Sequence, residues 1–335
     1  MKIKFAHNYD NIISIENMLE AWREFTRGKK SRRDVQEFEM NLMSNIILLH
    51  ENLVAKTYKH SPYTPFNISD PKPRNIHKAS VKDRLLHHAL YRKLYPFFDR
   101  TFISDSYSCR LNKGTHKAMN RFRNFAYKTS RNHTRTAWVL KCDIRKFFAS
   151  IDQDILNHII QEYITDQDIR WLISEIIGSF HSTNIGRNLP LGNLTSQLLV
   201  NIYMNEFDQF VKHRPKAKYY VRYADDFVIL SDDKKWLENL LSQISDFLES
   251  KLKLQLHPNK ISIKTFVSGI DFLGWVHFPG HRVLRTIAKR RMFKNIKDKL
   301  GNVNTMQSYL GLISHGNGRK IEGIIQQLNL PEPIE

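Results

Sequence analysis

Apolar residues recur at helical spacing through the first sixty positions. Ile12, Ile15, Met18, Leu19 and Trp22 share one face, and Val35, Phe38, Leu42, Ile46 and Leu49 resume the period after a basic break at 27–33, RGKKSRR. Residues 61–75 (SPYTPFNISDPKPRN) carry four prolines. Proline removes a backbone donor, so this stretch predicts a loop or an edge strand. The helical period returns over 81–98, and a polar stretch leads to WVLKCD at 138–143, a β-prone run ending on a carboxylate. Helices are predicted over 152–177 and 196–211. Two β-rich runs, 219–223 and 227–230, are separated by Ala224-Asp225-Asp226, which predicts a hairpin with two acids at its tip. A helix over 236–252, short strands near 261–265 and 272–278, and a basic helical tail from Thr286 complete the pattern. Strands alternating with helices indicate an α+β or α/β core with helical ends.

Composition narrows this picture. The chain has 335 residues, 41% hydrophobic and 11% aromatic, enough for sizeable cores and too much for low-complexity disorder. At about 150 residues per domain it holds two or three packed units. No apolar run approaches the roughly 18 residues a membrane helix needs. MKIKFAHNYD lacks the apolar stretch of a secretory leader. Cys109 and Cys142 are too few for a disulfide framework, so a reducing, cytoplasmic setting is expected. The 52 Lys and Arg against 33 Asp and Glu leave a net charge of +19. Such a surplus points to a polyanion, most simply nucleic acid, with generic basic solubility as the alternative.

The candidate chemistry sits on Asp143, Asp225 and Asp226. Carboxylates beside apolar strands are costly to bury unless they are paired or bind cations. If the two strands neighbour each other, the three acids meet at one sheet edge. An oxygen-only cluster of that kind suits Mg²⁺. Taken alone, Asp-Asp in a turn is also ordinary turn chemistry.

In context, Tyr223-Ala224-Asp225-Asp226 between apolar strands resembles the active-site hairpin of reverse transcriptases, and further blocks of that family follow in order. Asp143 to Phe148 (DIRKFF) resembles the first catalytic block, which implies that Asp143 ligates both metals and Phe148 is the steric gate against a ribose 2′-hydroxyl. LPLGNLTSQ at 189–197 resembles the block beside the nascent base pair. LQLHPNK at 254–260 resembles the block whose lysine, here Lys260, protonates the leaving pyrophosphate. Phe272-Leu273-Gly274-Trp275 resembles the primer grip. Upstream, Arg74, Lys82-Asp83-Arg84 and SYSCR at 106–110 are similar to the finger blocks of bacterial members. The resemblance spans roughly 72–280.

Most of the family carries Gln before the glycine of the LPLG block and Pro after its serine, where this chain has Leu191 and Gln197. That variant resembles the enzymes of diversity-generating retroelements, which copy a template RNA with errors concentrated at adenines. A Gln at 191 could hydrogen-bond the incoming nucleotide, whereas Leu offers apolar contact only. The plainer alternative is that Leu191 fills core space. A group II intron-like or retron-like enzyme is the rival within the family, and a non-catalytic RNA-binding protein of the same fold is the rival from another class. The first is expected to carry a maturase region after the thumb, and the second an Asn-Ala-x-x-His element.

The resemblance implies a right-hand polymerase fold. It has an N-terminal helical segment (1–60), fingers (61–135), a palm with an antiparallel sheet (136–280, of which 153–200 is partly fingers) and a short helical thumb (281–335). It implies two Mg²⁺, with Mn²⁺ as a substitute, held by Asp143, Asp225, Asp226 and the Ile144 carbonyl. Nucleotide contacts are implied for Arg74, Phe148, Leu191, Gly192 and Gln197. Template and primer contacts are implied for Arg84, Arg110 and the 272–275 block, with pairing of either arginine to an acid as the alternative. The expected partners are template RNA, primer strand, RNA–cDNA duplex, dNTPs and a small basic helical accessory variability protein. The expected setting is the cytoplasm of a bacterium, with the gene bacterial or phage-encoded.

Overall fold

The computed structural model describes residues 2–69, 73–180, 186–299 and 302–327. Pro71 and Lys72 of the proline-rich segment lie outside the described residues. Contacts divide the chain into two compact units, each assembled from separated stretches. One comprises 1–104, 144–216 and 244–257; the other comprises 105–143, 217–243 and 258–335. The stretches 61–135 and 136–280 therefore each contribute to both units.

The first unit is mainly helical. Its opening period breaks into helices Tyr9–Ile13, Ile15–Phe25, Arg33–Met40 and Leu42–Val54. Asn8 and Ser14 cap the first two through their side-chain oxygens, satisfying backbone donors left over at a helix start. Asn41 (φ −121°, ψ 38°) splits the expected second helix in two. The buried helix Val81–Asp99 carries Leu85, Leu86, Ala89, Leu90 and Leu94 into the core. The proline-rich segment forms an antiparallel hairpin, β1 (Thr64–Ile68) with β2 (Arg74–Lys78). Pro65 is tolerated because a two-stranded sheet consists of edges. The expected 152–177 helix is two, Gln153–Gln161 and Gln167–Gly178, with Asp166 capping the second. The helix Leu194–His213 follows.

The second unit holds a four-stranded antiparallel sheet in the order β4 (Tyr219–Tyr223), β5 (Asp226–Ser231), β3 (Trp138–Asp143), β6 (Ser262–Thr265). Its inner strands are largely buried, β5 through the apolar run Phe227 to Leu230 and β3 through Val139, Leu140 and Cys142 with Lys141 half-buried between them. Cys142, fully buried in β3, pairs with Phe227, while Cys109 is exposed. A helix absent from the pattern reading, Thr115–Thr129, covers the sheet with Ala118, Phe122, Phe125 and Ala126. Each fully buried aromatic of this kind contributes about 1.5–3 kcal/mol. The expected 272–278 strand turns at Leu273 and Gly274, both at positive φ (52° and 86°). It becomes β7 (Ile270–Phe272) and β8 (Trp275–His277), joined by an unexpected β9 (Arg282–Leu284). Helices Thr286–Asp298, Val303–Ile313 and Arg319–Gln327 pack Met292, Ile296, Met306, Ile313 and Ile325 around Trp275 and Met119. Among the described residues no helix is long and apolar enough to cross a membrane.

Candidate active site

Strand pairing brings the acids together. In the β3–β5 ladder Asp143 stands directly opposite Asp226, and directly opposed residues of an antiparallel pair project from the same face. Tyr223 pairs with Asp226 in the β4–β5 ladder, so the hairpin loop is only Ala224 and Asp225. This corrects the expected three-residue tip: Asp226 is the first residue of β5, and Asp225 alone of the two acids lies in the turn. Ala224 adopts φ +55°, a left-handed conformation costing a non-glycine residue about 1–3 kcal/mol.

Arg222 holds that turn. Its side chain is fully buried, donating from Nη1 to the Ala224 carbonyl (3.1 Å) and from Nη2 to Ser106 Oγ (3.0 Å). Its backbone N–H donates to the Asp105 carbonyl, and its carbonyl accepts from the Tyr107 N–H, both at 3.0 Å. Asp105 in turn pairs with Arg121 at 2.7 Å. Arg222 was not singled out from sequence, where an arginine within an apolar strand carries no motif of its own.

Two lysines answer the acids. Lys260 Nζ lies 2.8 Å from Asp143 Oδ1. Lys141 Nζ donates to the Asp271 carbonyl at 2.5 Å and lies 3.8 Å from Asp226 Oδ2. Asp226 Oδ1 is buried without a hydrogen-bond partner among the described residues. Burial pushes the Asp226 carboxyl up to about 7; Asp143 and Asp225 add to the rise, while Lys141 opposes it. A half-satisfied buried carboxylate between two other acids fits a hard cation with oxygen ligands. The donor types suit Mg²⁺, but their convergence is incomplete. Among the described residues no three His, Cys, Asp or Glu side chains are grouped to hold a metal, and Lys260 and Lys141 stand beside the carboxylate oxygens instead.

The expected nucleotide contacts gather within the first unit. The Leu191 carbonyl accepts from the His77 N–H of β2 at 3.1 Å, Asn193 Nδ2 donates to the His77 carbonyl at 2.9 Å, and the Leu189 N–H donates to the Phe148 carbonyl at 3.0 Å. Those bonds link the LPLG block to both Phe148 and the strand that begins with exposed Arg74. Gly192 sits at φ +100°, and a Cβ there would lie 2.6 Å from Ile76 Cγ2, so only glycine fits. Gln197 lies in the first turn of helix Leu194–His213, half-buried. Ile144 is buried and bridges Leu256.

Three nucleic-acid expectations change character. Arg84 Nη2 pairs with Asp34 Oδ2 at 2.5 Å, its guanidinium over the Phe25 ring, so the alternative of pairing with an acid holds, through an acid not foreseen. Arg110 Nη1 donates to the Ser106 carbonyl at 3.0 Å. In the 272–275 block, Phe272 and Trp275 are 0% and 2% exposed and belong to the core. Their side chains cannot reach a bound strand, which leaves the half-buried Leu273–Gly274 turn as the accessible part.

Comparison with known proteins agrees with this geometry. Residues 66–277 match the family model described as reverse transcriptase (RNA-dependent DNA polymerase). The chain is 26% identical over 290 residues to protein YkfC of Escherichia coli K12, covering 74% of this chain and 73% of YkfC. It is 23% identical over 300 residues to the group II intron-encoded protein LtrA of Lactococcus lactis, covering 67% and 48%. It is 20% identical over 348 residues to a putative COX1/OXI3 intron 2 protein of Saccharomyces cerevisiae, covering 84% and 38%. The chain thus spans about three quarters of YkfC and less than half of these two intron proteins. With the family match covering well over half of its length, the chain belongs to the reverse transcriptase family.

Proposed function

We propose that the protein is an RNA-directed DNA polymerase that extends a primer on an RNA template. The observation carrying this reading is the placement of Asp143 opposite Asp226 across one ladder, with Asp225 in the adjoining turn. Two Mg²⁺ held by Asp143 and Asp225, with Asp226 and the Ile144 carbonyl beside them, would supply activation of the primer 3′-hydroxyl and charge neutralisation at the phosphate. Lys260, 2.8 Å from Asp143, would supply a proton to the departing pyrophosphate. Phe148 excludes a ribose 2′-hydroxyl, selecting dNTPs. Phosphate contacts hold the strands largely without reading sequence.

The test is Mg²⁺-dependent, and separately Mn²⁺-dependent, dNTP incorporation on a primed RNA. Wild type extends, and Asp225→Ala loses extension by at least about a thousandfold while retaining RNA. Near-normal extension by the variant would refute the role of Asp225. A salt titration adds a second readout. Each neutralised phosphate on a duplex contributes about 0.9 to the log–log slope, so a shallow slope would assign the basic surplus to solubility.

Within the family, Leu191 and Gln197 support a template-copying enzyme of a diversity-generating retroelement, error-prone at adenines and partnered by a basic accessory protein. Leu191→Gln is then expected to lower misincorporation opposite adenine in primer extension. An unchanged adenine error rate removes that reading and leaves a group II intron-like enzyme, which the names of the relatives favour.

A further inference from the structure

The helix Thr115–Thr129 turns Ala118, Phe122, Phe125 and Ala126 onto the sheet that carries the acids. Its opposite face presents Asn120, Arg123, Asn124 and Tyr127, which follow the i, i+3, i+4, i+7 spacing of one helical stripe. With His133 and Gly280 these four line an open pocket of about 520 Å³, wholly within the second unit. That volume falls in the range of small-ligand sites. The helix stands between the pocket and the sheet.

The lining joins an aromatic surface to unanswered polar groups. Tyr127 is 46% exposed. Its ring meets His133 edge-on (centroids 5.4 Å apart, 76°), so the two form a corner on which a flat group can rest. The Arg123 guanidinium, the Asn124 amide and the Tyr127 hydroxyl make no hydrogen bond or ion pair among the described residues. Asn120 Oδ1 accepts from Arg282 Nη1 at 3.0 Å, which leaves its amide N–H groups for a ligand. No carboxylate is among the lining residues. Residues 106–142 carry no Asp or Glu at all. Of the cations in that stretch, Arg121 is paired with Asp105, and Lys141 lies beside Asp226. Lys128, Arg131 and Arg135 are exposed and, like Arg123, form no ion pair among the described residues.

The wall bearing His133 is fixed in advance. Arg131, Asn132 and His133 stand at φ +46°, +62° and +66°, three successive non-glycine residues in the left-handed region at about 1–3 kcal/mol each. Local hydrogen bonds impose this. The Asn132 N–H donates to the Tyr127 carbonyl at 2.9 Å, and the His133 N–H donates to Ser130 Oγ at 3.0 Å. His133 Nδ1 lies 3.1 Å from the same oxygen, and its ring stacks on Phe266.

A guanidinium for phosphate, an exposed ring for stacking and amides that both donate and accept are the contacts an unpaired nucleotide uses. An acidic peptide would use the first and leave the ring and the amides without partners. We propose that this pocket seats one unpaired nucleotide of a single-stranded nucleic acid, apart from the polymerising centre, with its base on the Tyr127 ring and its phosphate on Arg123. The recognition stands on the pocket alone.

The experiment follows the anisotropy of fluorescein-labelled hexauridine and hexaadenosine titrated with the full chain, while excess unlabelled blunt RNA–DNA duplex occupies the polymerising centre. Wild type and Asp225→Ala are expected to bind both hexamers saturably and alike. Tyr127→Ala, which changes no charge, should lose about fivefold or more in affinity, and Arg123→Ala/Tyr127→Ala about tenfold or more. Tyr127→Phe and Arg123→Lys should keep most of the binding. These side chains are exposed, and circular dichroism of each variant establishes that the fold persists. Tighter binding of the ribohexamers than of their deoxy counterparts assigns RNA as the source, and the reverse order assigns single-stranded DNA. Complete loss of hexamer binding in the presence of duplex overturns the proposal. So does equal binding by Tyr127→Ala, or displacement of the hexamers by hexaglutamate at equal concentration, since charge alone would then explain the affinity. Because the titration needs no extension, an inactive wild type that still binds hexamer would sink the polymerase reading without touching this one.

Discussion

The carboxylate hairpin and a basic cleft treat charge in opposite ways. In the hairpin's unit the acids have lysines at hand: Asp143 has Lys260, Asp226 has Lys141, and the turn is clamped by a buried arginine. In the other unit Arg145, Lys146, Arg187 and Lys253 line one cleft, with Glu249 on its wall and Asp152, paired with Lys253 at 2.8 Å and attracted by Arg187, beside it. A net charge of +19 says nothing of this partition. What matters for ligands is which charges the protein leaves unanswered. On that criterion, among the described residues, the hairpin has one orphaned carboxylate oxygen, on Asp226, and the cleft has the side chains of Arg145 and Lys146, which make no hydrogen bond or ion pair.

The comparison can be broken from either side. The largest effect is the crossover between variants. Asp225→Ala should eliminate extension while leaving RNA binding largely intact, whereas Arg145→Ala/Arg187→Ala, at the cleft, should leave the hairpin's chemistry in place and still extend. Identical behaviour of the two would mean the regions are not chemically separate.

Next comes Arg222→Met. It leaves the Ala224 carbonyl and the Ser106 hydroxyl without their donors and is expected to cost about 3 kcal/mol in denaturant unfolding. Extension should fall with it, since the turn bearing Asp225 loses its clamp. A variant as stable as wild type would show that the strained turn holds itself.

Acid sensitivity should follow the first unit. His87 is fully buried, neither ring nitrogen has a hydrogen-bond partner among the described residues, and burial lowers its pKa to about 3. Its unfolded value is 6.5, so the unfolded chain binds the extra proton first. The stabilisation is therefore complete above about 6.5 and is lost as pH falls towards 3, reaching about 2–3 kcal/mol by pH 4.5. His87→Phe should flatten that part of the stability profile.

The smallest expected effect is Gly192→Ala, at about 2 kcal/mol from a positive φ and the Ile76 contact. Adding Ile76→Ala, which removes the Cγ2 methyl, should recover the steric part but not the backbone part in thermal melts.

Sequence patterning located most of this architecture where period and chemistry coincide. WVLKCD and the two runs around Ala224-Asp225 are apolar, β-branched and bounded by turn residues, so strand and hairpin were legible to within a residue. The helix Thr115–Thr129 was not. Its buried Ala118, Met119, Phe122 and Phe125 are interleaved with Lys117, Asn120, Arg121, Arg123 and Asn124, and the polar positions mask the stripe. Carboxylates announce themselves by being out of place among apolar residues. Arg222, Lys141 and the cleft do not, because a cation's role depends on which acid or carbonyl tertiary structure brings beside it. Arg84 makes the same point in reverse: its partner, Asp34, is 50 residues away.

The burial of Cys142 has an experimental use. Among two cysteines, Cys109 is exposed and Cys142 lies fully buried in β3, one residue before Asp143, with burial pushing its thiol well above the ordinary range. A thiol so protected reacts only when its strand opens. With Cys109 replaced by serine, the labelling rate of Cys142 becomes a built-in clock for opening of the strand that carries Asp143, read without adding any probe to the site.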